Sequence, residues 1–385
     1  MAEISWVIWT SRLSPFGLKV ILLCRHAGLS YKVLPGAGNF IEDWRYHLRR
    51  ARLVAGKLPL TAPKMEPEDE YPLVPFLFGP QGENLYDSTA IAVWLDQKLP
   101  AGQRVIPDDP AAAFVVRLID DYLDEFGLYM VHHNRWKLSA ADNTAGKLVA
   151  HEYRSIYGPL EFITAKVFSK RQTRRMPYLF SVAPDSLPGF PPTHDLLESC
   201  WFRLIDILET LLTERPFVLG ERFTLADAAI YGQLAMNLEI DPTAEAMLKA
   251  RGPKLHAWLW RLHRGDVSAS QPGADLQINA ALKPLLAEIC RIHVPLMQQN
   301  LAAYEDWRAK GQTRFNEAAF DRREALYDGE LDGQPFRHVA KSFQAKVWRQ
   351  SVAAWNALAS DELQALLPPG HGIDVERHGH MQAGG

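Results

Sequence analysis

An apolar strand followed by a proline-started helix is the feature that most constrains the fold of this 385-residue chain. Residues 4–10 are a short β-branched and aromatic run, which is typical of a strand. Ser14-Pro15 then opens a segment with helical apolar spacing, and Gly28 is placed to end it. Tyr31–Leu34 can supply the next strand. The pattern predicts a β-α-β unit with two parallel strands and a right-handed helical crossover.

A second group of elements follows an irregular link. Residues 35–70 mix glycine, proline and charged runs, so we expect loop with at most one helix there. Residues 74–78 and 84–86 flank a Gly-Pro-Gln-Gly turn and predict a hairpin. Asp87-Ser88 then caps a short helix. The order β-α-β, link, β-β-α is that of a thioredoxin-like domain.

The chain beyond the linker at residues 99–110 is predicted to be helical. Apolar residues recur at helical spacing in residues 111–138, 143–168, 195–214, 224–237, 243–262, 279–309 and 338–365. We expect residues 169–194 to form a long loop and residues 371–385 a disordered tail.

Three local patterns refine the prediction for the helical part. Thr224 and Asp227 have the spacing of a reciprocal helix cap, which supports the fold and carries no chemistry. Residues 329–336 predict a turn or small hairpin. Residues 343–358 predict an amphipathic helix that contains two tryptophans, Trp348 and Trp355.

Composition excludes several classes of protein. The chain has 42 Lys and Arg against 45 Asp and Glu, a formal net charge of -3, so it lacks the basic footprint of a nucleic-acid binder. Cys24, Cys200 and Cys290 lie far apart, which argues against disulfides, a zinc knuckle and a dithiol centre. The sequence has no signal-like start and no run of about 18 apolar residues. We therefore expect a soluble, cytoplasmic protein without a nucleic-acid or membrane partner.

Metal binding is not expected from the most polar helix. Its adjacent histidines, His132 and His133, project about 100° apart and are poor ligands for one ion. We interpret the acidic residues earlier in the same helix as a solvated face: Asp120, Asp121, Asp124 and Glu125.

Four motifs, in this order, resemble those of the cytosolic glutathione transferase superfamily. They are Ser14-Pro15-Phe16, Val74-Pro75, Asp87-Ser88-Thr89-Ala90-Ile91 and the helix-capping segment 217–231. The resemblance implies an α/β thioredoxin-like N-terminal domain and an all-α, glutathione-transferase-like C-terminal domain with extra helices. We expect the domains at residues 1–98 and 108–265, followed by a helical extension at 266–370.

The resemblance implies a site for glutathione as co-substrate, and the residues have suitable chemistry. Asp87 and Ser88 start a helix, where N–H groups, a hydroxyl and the helix dipole suit the γ-glutamyl carboxylate. Val74, held extended by the following proline, can pair with the cysteinyl backbone, and a cis peptide at Pro75 would turn that edge toward the ligand. Phe16, in the turn motif, is assigned to the same site. Outside such a set of motifs, Asp-Ser would be an ordinary helix cap.

Ser14 is the candidate catalytic residue. A hydroxyl at this helix start can donate a hydrogen bond to the glutathione sulfur, and a free thiol has a pKa of about 8.5, so the bond and the helix dipole favour the thiolate. Ser11 and Thr10 are second choices, because some transferase classes place the activating residue a few positions earlier. The alternative is a plain Ser-Pro helix start. Position 14 is not a cysteine, which disfavours thiol–disulfide exchange.

A second substrate is expected between the two domains, against the helix at residues 111–138. Candidate contacts are one residue of the turn motif and four near the end of that helix: Arg12, Tyr129, His132, Arg135 and Trp136. Arg135-Trp136 can stack on a planar substrate or pack against the N-terminal domain. Three basic residues are the candidates for holding the glycyl carboxylate of glutathione: Arg49, Arg52 and Lys57.

Three functions are compatible with these residues. The first is a homodimeric glutathione transferase that adds the thiolate to a small, hydrophobic or aromatic electrophile without a metal. The second is a glutathione-dependent β-etherase or dehalogenase, since bacterial β-etherases have a similar Ser-Pro-Tyr turn. The third is a binding protein that kept the fold and lost turnover.

Overall fold

A four-stranded sheet with helices on both sides forms the N-terminal part of the protein. The computed structural model describes residues 5–65, 74–180, 187–358 and 361–373. The N-terminal elements are β1 (Trp6–Trp9), α1 (Pro15–His26), β2 (Tyr31–Leu34), α2 (Phe40–Val54), β3 (Phe76–Phe78), β4 (Asn84–Tyr86) and α3 (Ser88–Asp96). The strand order is β2-β1-β3-β4, with β1 and β2 parallel and β3 antiparallel to both of its neighbours. The predicted thioredoxin-like arrangement is confirmed.

Both faces of this sheet are buried. Successive side chains of β1 point to opposite faces, as in any strand. Ile8 joins the large core that contains α1, α3 and much of the helical part. Trp9 joins a smaller core with Phe76 and Tyr86, against which Tyr46 of α2 packs. The sheet is therefore held between α2 on one side and α1 with α3 on the other.

The link between β2 and β3 contains one helix, α2, as the prediction allowed. Asn39 starts it by accepting a hydrogen bond from the N–H of Glu42 at 2.9 Å. The acidic run at residues 66–70 lies outside the described residues.

One long helix begins the C-terminal part. α4 (Pro110–Tyr122), a π-helical turn (Leu123–Gly127), α5 (Leu128–His133) and a second π-helical turn (Asn134–Leu138) follow one another without a break. The helix predicted at residues 111–138 is confirmed. Each π-helical turn holds an extra residue, which rotates the side chains that follow it relative to a regular α-helix.

The next helices depart from the prediction at two Gly-Pro steps. They are α6 (Ala145–Glu152), α7 (Arg154–Tyr157), α8 (Glu161–Arg175), α9 (His194–Glu214), α10 (Leu225–Leu234), α11 (Pro242–Arg251) and α12 (Pro253–His263). Single helices at residues 143–168 and 243–262 were wrong, because Gly158-Pro159 and Gly252-Pro253 interrupt them.

The long loop predicted at residues 169–194 is shorter than expected. α8 continues to Arg175, so the first seven residues of that range are helical. Its basic residues lie on helix α8, where they do not interrupt the helical backbone. Residues 181–186 lie outside the described residues.

The C-terminal extension is a helical layer with one hairpin. Its elements are α13 (Lys283–Ala309), α14 (Glu317–Asp321), β5 (Leu326–Leu331), β6 (Gln334–Val339), α15 (Ser342–Asn356) and α16 (Asp361–Gln364). The predicted hairpin is confirmed, with Asp332 and Gly333 at φ 50° and 76° in its turn. The helix predicted at residues 338–365 was wrong at its start, because residues 338 and 339 pair within the hairpin, and α15 ends at Asn356.

The extension packs directly on α4. The ring of Trp355 lies 5.3 Å from that of Phe114, and the Ser351 hydroxyl donates to the Asp121 carboxylate at 3.0 Å. Trp348 is also buried, beside His293 of α13. Because α4 also contacts the N-terminal domain, the extension borders the region where a second substrate was predicted.

The reciprocal cap at Thr224 and Asp227 is confirmed. The buried Asp227 carboxylate accepts hydrogen bonds from the Thr224 N–H and hydroxyl and from the Val218 N–H, each at 2.8 Å. α10, which this cap starts, packs extensively against α1. The cap thus orients the helix against which α1 packs.

Replacing Thr224 with alanine is expected to lower the free energy of unfolding by about 1 kcal/mol, the usual cost of losing a helix cap. Urea denaturation measures the change. Thr210→Ala is the control, because Thr210 is exposed on α9 and bonds only to the Asp206 carbonyl. Equal stability of the two variants would contradict a capping role for Thr224.

Candidate functional site

Ser14 caps helix α1 and keeps its hydroxyl proton uncommitted. Its Oγ accepts a hydrogen bond from the Gly17 N–H at 3.1 Å, and its own N–H donates to the Ser11 carbonyl at 2.9 Å. The side chain is 5% exposed. Within the described part of the chain, no group accepts the Ser14 O–H. A serine held in this way has a fixed oxygen and a proton that can be donated to a bound group.

The other two candidate hydroxyls are already used as donors. Ser11 donates to the Glu152 carboxylate at 2.5 Å, and Thr10 donates to the Ser11 carbonyl at 3.4 Å. The Arg12 N–H and Nε also donate to Glu152, at 3.2 and 3.0 Å. Ser14 is therefore the one member of the three whose proton is free among the described residues.

Glu152 was missed by the sequence prediction. It is the last residue of α6, lies 140 positions after the turn it binds, and is buried. A carboxylate that receives two N–H groups and a hydroxyl fixes the backbone of the turn at Ser11 and Arg12. No local pattern in the sequence could have paired the two segments.

The start of α3 has the geometry of an anion site. Asp87 adopts φ 68°, a left-handed conformation that costs a non-glycine residue on the order of 1–3 kcal/mol. Its carboxylate accepts from the Ala90 N–H at 2.8 Å. The N–H groups of Ser88 and Thr89 have no acceptor in the described residues, so two helix-start donors are available to a carboxylate.

Val74 lies beside the Ser11–Ser14 turn, and its backbone has no hydrogen-bond partner among the described residues. The Val74-Pro75 bond is cis, as expected. Phe76 pairs with Trp9 at the end of β1, so Val74 lies just past that end, on the side of the Ser11–Ser14 turn. Neither the N–H nor the C=O of Val74 bonds to another residue in the described ranges. Phe16 is half-buried in the first turn of α1, two residues after Ser14.

The acidic residues of α4 are not a solvated face, and that prediction was wrong. Asp120 is fully buried and Asp121 nearly so. Asp120 and Asp124 form ion pairs with Lys19 of α1, the latter at 2.8 Å, and Lys19 also donates to the Thr89 hydroxyl at 3.1 Å. The sequence prediction missed Lys19, because a lysine among apolar residues of a helix is ordinarily solvent-exposed at its tip.

Lys19 links α1 and the start of α3 to α4. Burial disfavours its ammonium and lowers its pKa, but the carboxylates of Asp120 and Asp124 outweigh burial and raise the pKa above its usual value. Burial also raises the pKa of Asp124 to about 7. Asp124 in turn accepts from the Ser88 hydroxyl at 3.4 Å. The cluster therefore holds Ser88 and Thr89, at the start of α3, against the helical part.

The structure does not bring the predicted second-substrate residues together. The Arg135 guanidinium is buried and donates to Asp241 at 2.8–3.0 Å and to the Met236 carbonyl at 2.8 Å. Trp136 packs in a separate apolar cluster with Leu13 and Ile240. The side chains of Arg135 and Trp136 therefore both pack against other residues of the protein. Packing was the alternative to stacking on a planar substrate.

Tyr129 and His132 lie elsewhere on the long helix. The Tyr129 hydroxyl contacts the C-terminal extension through Lys341. His132 is half-buried and hydrogen-bonds to the Leu128 carbonyl through Nδ1 at 3.0 Å. Burial lowers the pKa of His132 to about 3, so its imidazole is neutral at pH 7. Arg12 is more than half exposed beyond its bond to Glu152.

The basic candidates for a glycyl carboxylate differ in availability. Arg49 is engaged, because it donates to Asn84 Oδ1 at 2.8 Å and to the Glu83 carbonyl at 3.1 Å. Arg52 and Lys57 are exposed, and their side chains have no partner in the described residues.

Three further features concern the cysteines, metal binding and membrane crossing. Cys24, Cys200 and Cys290 are buried, and none of them forms a disulfide. The described residues contain no group of three or more His, Cys, Asp or Glu side chains placed to hold a metal ion. None of their helices combines the length and apolar character needed to cross a bilayer.

Two family models match the chain on either side of the long helix. The model of the glutathione S-transferase N-terminal domain matches residues 13–98, and the model of the glutathione S-transferase C-terminal domain matches residues 191–261. The first range contains Ser14, Val74 and Ser88, and the second contains the cap at Thr224. No curated protein matches the sequence.

Several solved structures are similar to the chain. A β-etherase from Sphingobium sp. strain SYK-6 is 16% identical, with 69% of this chain and 98% of that chain covered and a TM-score of 0.42. A glutathione transferase family member from Pseudomonas fluorescens pf-5, solved with two glutathione bound, is 14% identical, with 69% and 92% covered and a TM-score of 0.39. A glutathione transferase from Pseudomonas putida, solved with glutathione disulfide, is 16% identical, with 69% and 90% covered and a TM-score of 0.39.

Proposed function

Because the chain belongs to the glutathione transferase superfamily, we propose that it is a glutathione transferase in which Ser14 activates the thiol. Glutathione is the co-substrate, and the second substrate is a small hydrophobic or aromatic electrophile. The observation that carries the proposal is the hydroxyl of Ser14, whose oxygen is held by the Gly17 N–H while its proton has no acceptor among the described residues.

Glutathione binding is assigned to the edge that Val74 shares with the starts of α1 and α3. The unpaired N–H groups of Ser88 and Thr89 suit the γ-glutamyl carboxylate. The unpaired N–H and C=O of Val74 suit the cysteinyl backbone, which would add to the sheet edge as a short strand. In this proposed binding mode the cysteinyl sulfur faces the start of α1, which Ser14 caps.

The chemistry needs only stabilisation of the nucleophile. The glutathione thiol releases its proton to solvent, and the Ser14 O–H and the α1 dipole stabilise the resulting thiolate. The sulfur electron pair then forms a bond to the electrophilic carbon, and the leaving group departs with the electron pair of its own bond. Ser14 forms no covalent bond in this sequence and acts through a hydrogen bond.

Glutathione is expected to raise the melting temperature of the protein by several degrees, because a ligand at 100 times its Kd adds about 2.7 kcal/mol to the native state. Asp87→Ala should abolish the shift, since Asp87 shapes the start of α3. Asp109→Ala is the matched control: Asp109 caps α4 with the same bond, to the Ala112 N–H at 2.8 Å, away from the site. A wild-type protein stabilised by neither glutathione nor S-hexylglutathione would rule the proposal out.

A further inference from the structure

A buried polar cluster joins α5 to the C-terminal extension, with the Tyr129 hydroxyl at its centre. Lys341 Nζ donates to this hydroxyl at 2.7 Å and Gln344 Nε2 at 3.1 Å, while His338 Nε2 lies 3.2 Å away. Tyr129, His338 and Gln344 are almost completely buried. Two of the three are supplied by the extension, so the cluster exists only because the extension packs on this helix.

Several polar atoms of this cluster lack hydrogen-bond partners. His338 Nδ1, Gln344 Oε1 and the Tyr327 hydroxyl have none within the described residues. Each such buried group costs roughly 1–3 kcal/mol if it stays unsatisfied. The three atoms offer both donors and acceptors, which is the composition of a site for a polar ligand group.

The cluster adjoins the helical segment that contacts the start of α3 in the proposed glutathione site. Lys341 and Glu125 are half-buried and form its accessible side. Glu125 follows Asp124 in the chain, and Asp124 contacts the Ser88 hydroxyl. The Lys341 ammonium lies 4.8 Å and 4.9 Å from the ring centroids of Tyr129 and Tyr178, so aromatic surfaces flank the charge.

Burial shifts the pKa values of the two ionisable groups on the partly exposed side of the cluster. Burial lowers the pKa of Lys341 to about 8, and burial raises the pKa of Glu125 to about 8, with Lys341 opposing that rise. The other groups that interact with Lys341 are Arg175 at the end of α8, Tyr129, Tyr178 and His338. Arg175 is paired with Glu317 at 2.7 Å, and burial keeps His338 neutral. Burial thus favours the neutral forms of Lys341 and Glu125, and the attraction between their charges opposes it.

We propose that Lys341 binds a carboxylate or phenolate oxygen of the second substrate, so that the C-terminal extension selects anionic aromatic acceptors. This inference rests on the proposed transferase function, because that function requires a second substrate, the acceptor. The half-buried Lys341 places its ammonium against two aromatic rings, beside buried polar atoms that lack hydrogen-bond partners among the described residues. Lys341 is then a specificity-determining residue of the acceptor site.

Calorimetry with para-nitrobenzoate and neutral nitrobenzene tests the inference without turnover or glutathione. Lys341→Met is expected to lower the benzoate affinity at least tenfold and to leave nitrobenzene binding unchanged. Lys310→Met is the matched control, because Lys310 also lies over an aromatic ring, Trp307 at 5.3 Å, but at the exposed end of α13. Equal benzoate affinity in wild type and Lys341→Met, or no benzoate binding to wild type at millimolar concentration, would overturn the inference.

Two further measurements keep the test decisive if Lys341→Met folds poorly. Benzoate affinity of the wild type should fall several-fold between pH 7 and pH 9, as Lys341 loses its proton and Glu125 becomes charged. Glu125→Gln should retain the affinity at pH 7, whereas a purely structural Lys341–Glu125 pair predicts equal losses in both variants and no pH dependence. Because the benzoate has no leaving group, its binding and the glutathione-induced melting shift can succeed or fail separately.

Discussion

Replacing Lys19 with methionine is expected to lower the free energy of unfolding by about 3–5 kcal/mol, the range for removing one partner of a buried ion pair. The side chain is 1% exposed, and its loss would leave the buried Asp120 with only the more distant Arg117, at 3.7 Å, as a counter-charge. Urea denaturation measures the change. Lys32→Met serves as the control, because the Lys32–Glu42 pair at 2.9 Å is partly exposed and should contribute at most about 1 kcal/mol.

A double variant separates the charge effect from lost packing. Adding Asp120→Asn to Lys19→Met removes the buried carboxylate that has lost its nearest counter-charge and should restore part of the lost stability. If Lys19→Met costs no more than Lys32→Met, the buried cluster does not hold α1 and α4 together. If Asp120→Asn restores nothing, the cost arises from packing rather than charge.

The variant Ser14→Ala is expected to lower kcat/KM for glutathione and a generic aryl halide at least tenfold, which corresponds to about 1.4 kcal/mol of transition-state stabilisation. The physical reason is the loss of the one hydroxyl proton of the turn that is available to the glutathione sulfur. Initial-rate kinetics with both substrates varied measures the effect. Ser268→Ala is the control, since Ser268 is exposed and bonds only to Asp266. Unchanged kcat/KM in Ser14→Ala would remove Ser14 from the mechanism.

Local sequence patterns predicted most of the fold. The strand, the Ser14-Pro15 helix start and the Gly28 stop lie within one short segment, so nearest-neighbour preferences determine them. The hairpin turn at Asp332-Gly333 is likewise local. The Gly158-Pro159 break was equally local, and it could have been predicted, because a proline cannot continue the hydrogen bonds of a helix.

The parts of the site that were missed depend on long-range contacts. Glu152 binds a turn about 140 positions earlier, and Lys19 meets Asp120 only after α1 and α4 pack together. The acidic residues between Asp120 and Glu125 were predicted to be exposed to solvent, because isolated carboxylates are rarely buried. Only the folded arrangement supplies the buried cation that makes burial possible.

The C-terminal extension illustrates the same limit. Its Trp348 and Trp355 were predicted to lie on an amphipathic helix, and both are buried. What they pack against could not be read from helical periodicity, which identifies an apolar face and not its partner. The contact of Lys341 with Tyr129 therefore could not be predicted from the sequence, because it forms only when the extension packs on α5.

The pKa of the thiol of bound glutathione tests the central claim most directly. Titration of the thiolate by its ultraviolet absorbance, in the presence of saturating protein, reports this value without any second substrate. The account predicts a pKa at least one unit below the free value of about 8.5 in wild type, and a return toward that value in Ser14→Ala. A bound thiol whose pKa is the same in wild type and Ser14→Ala would contradict it.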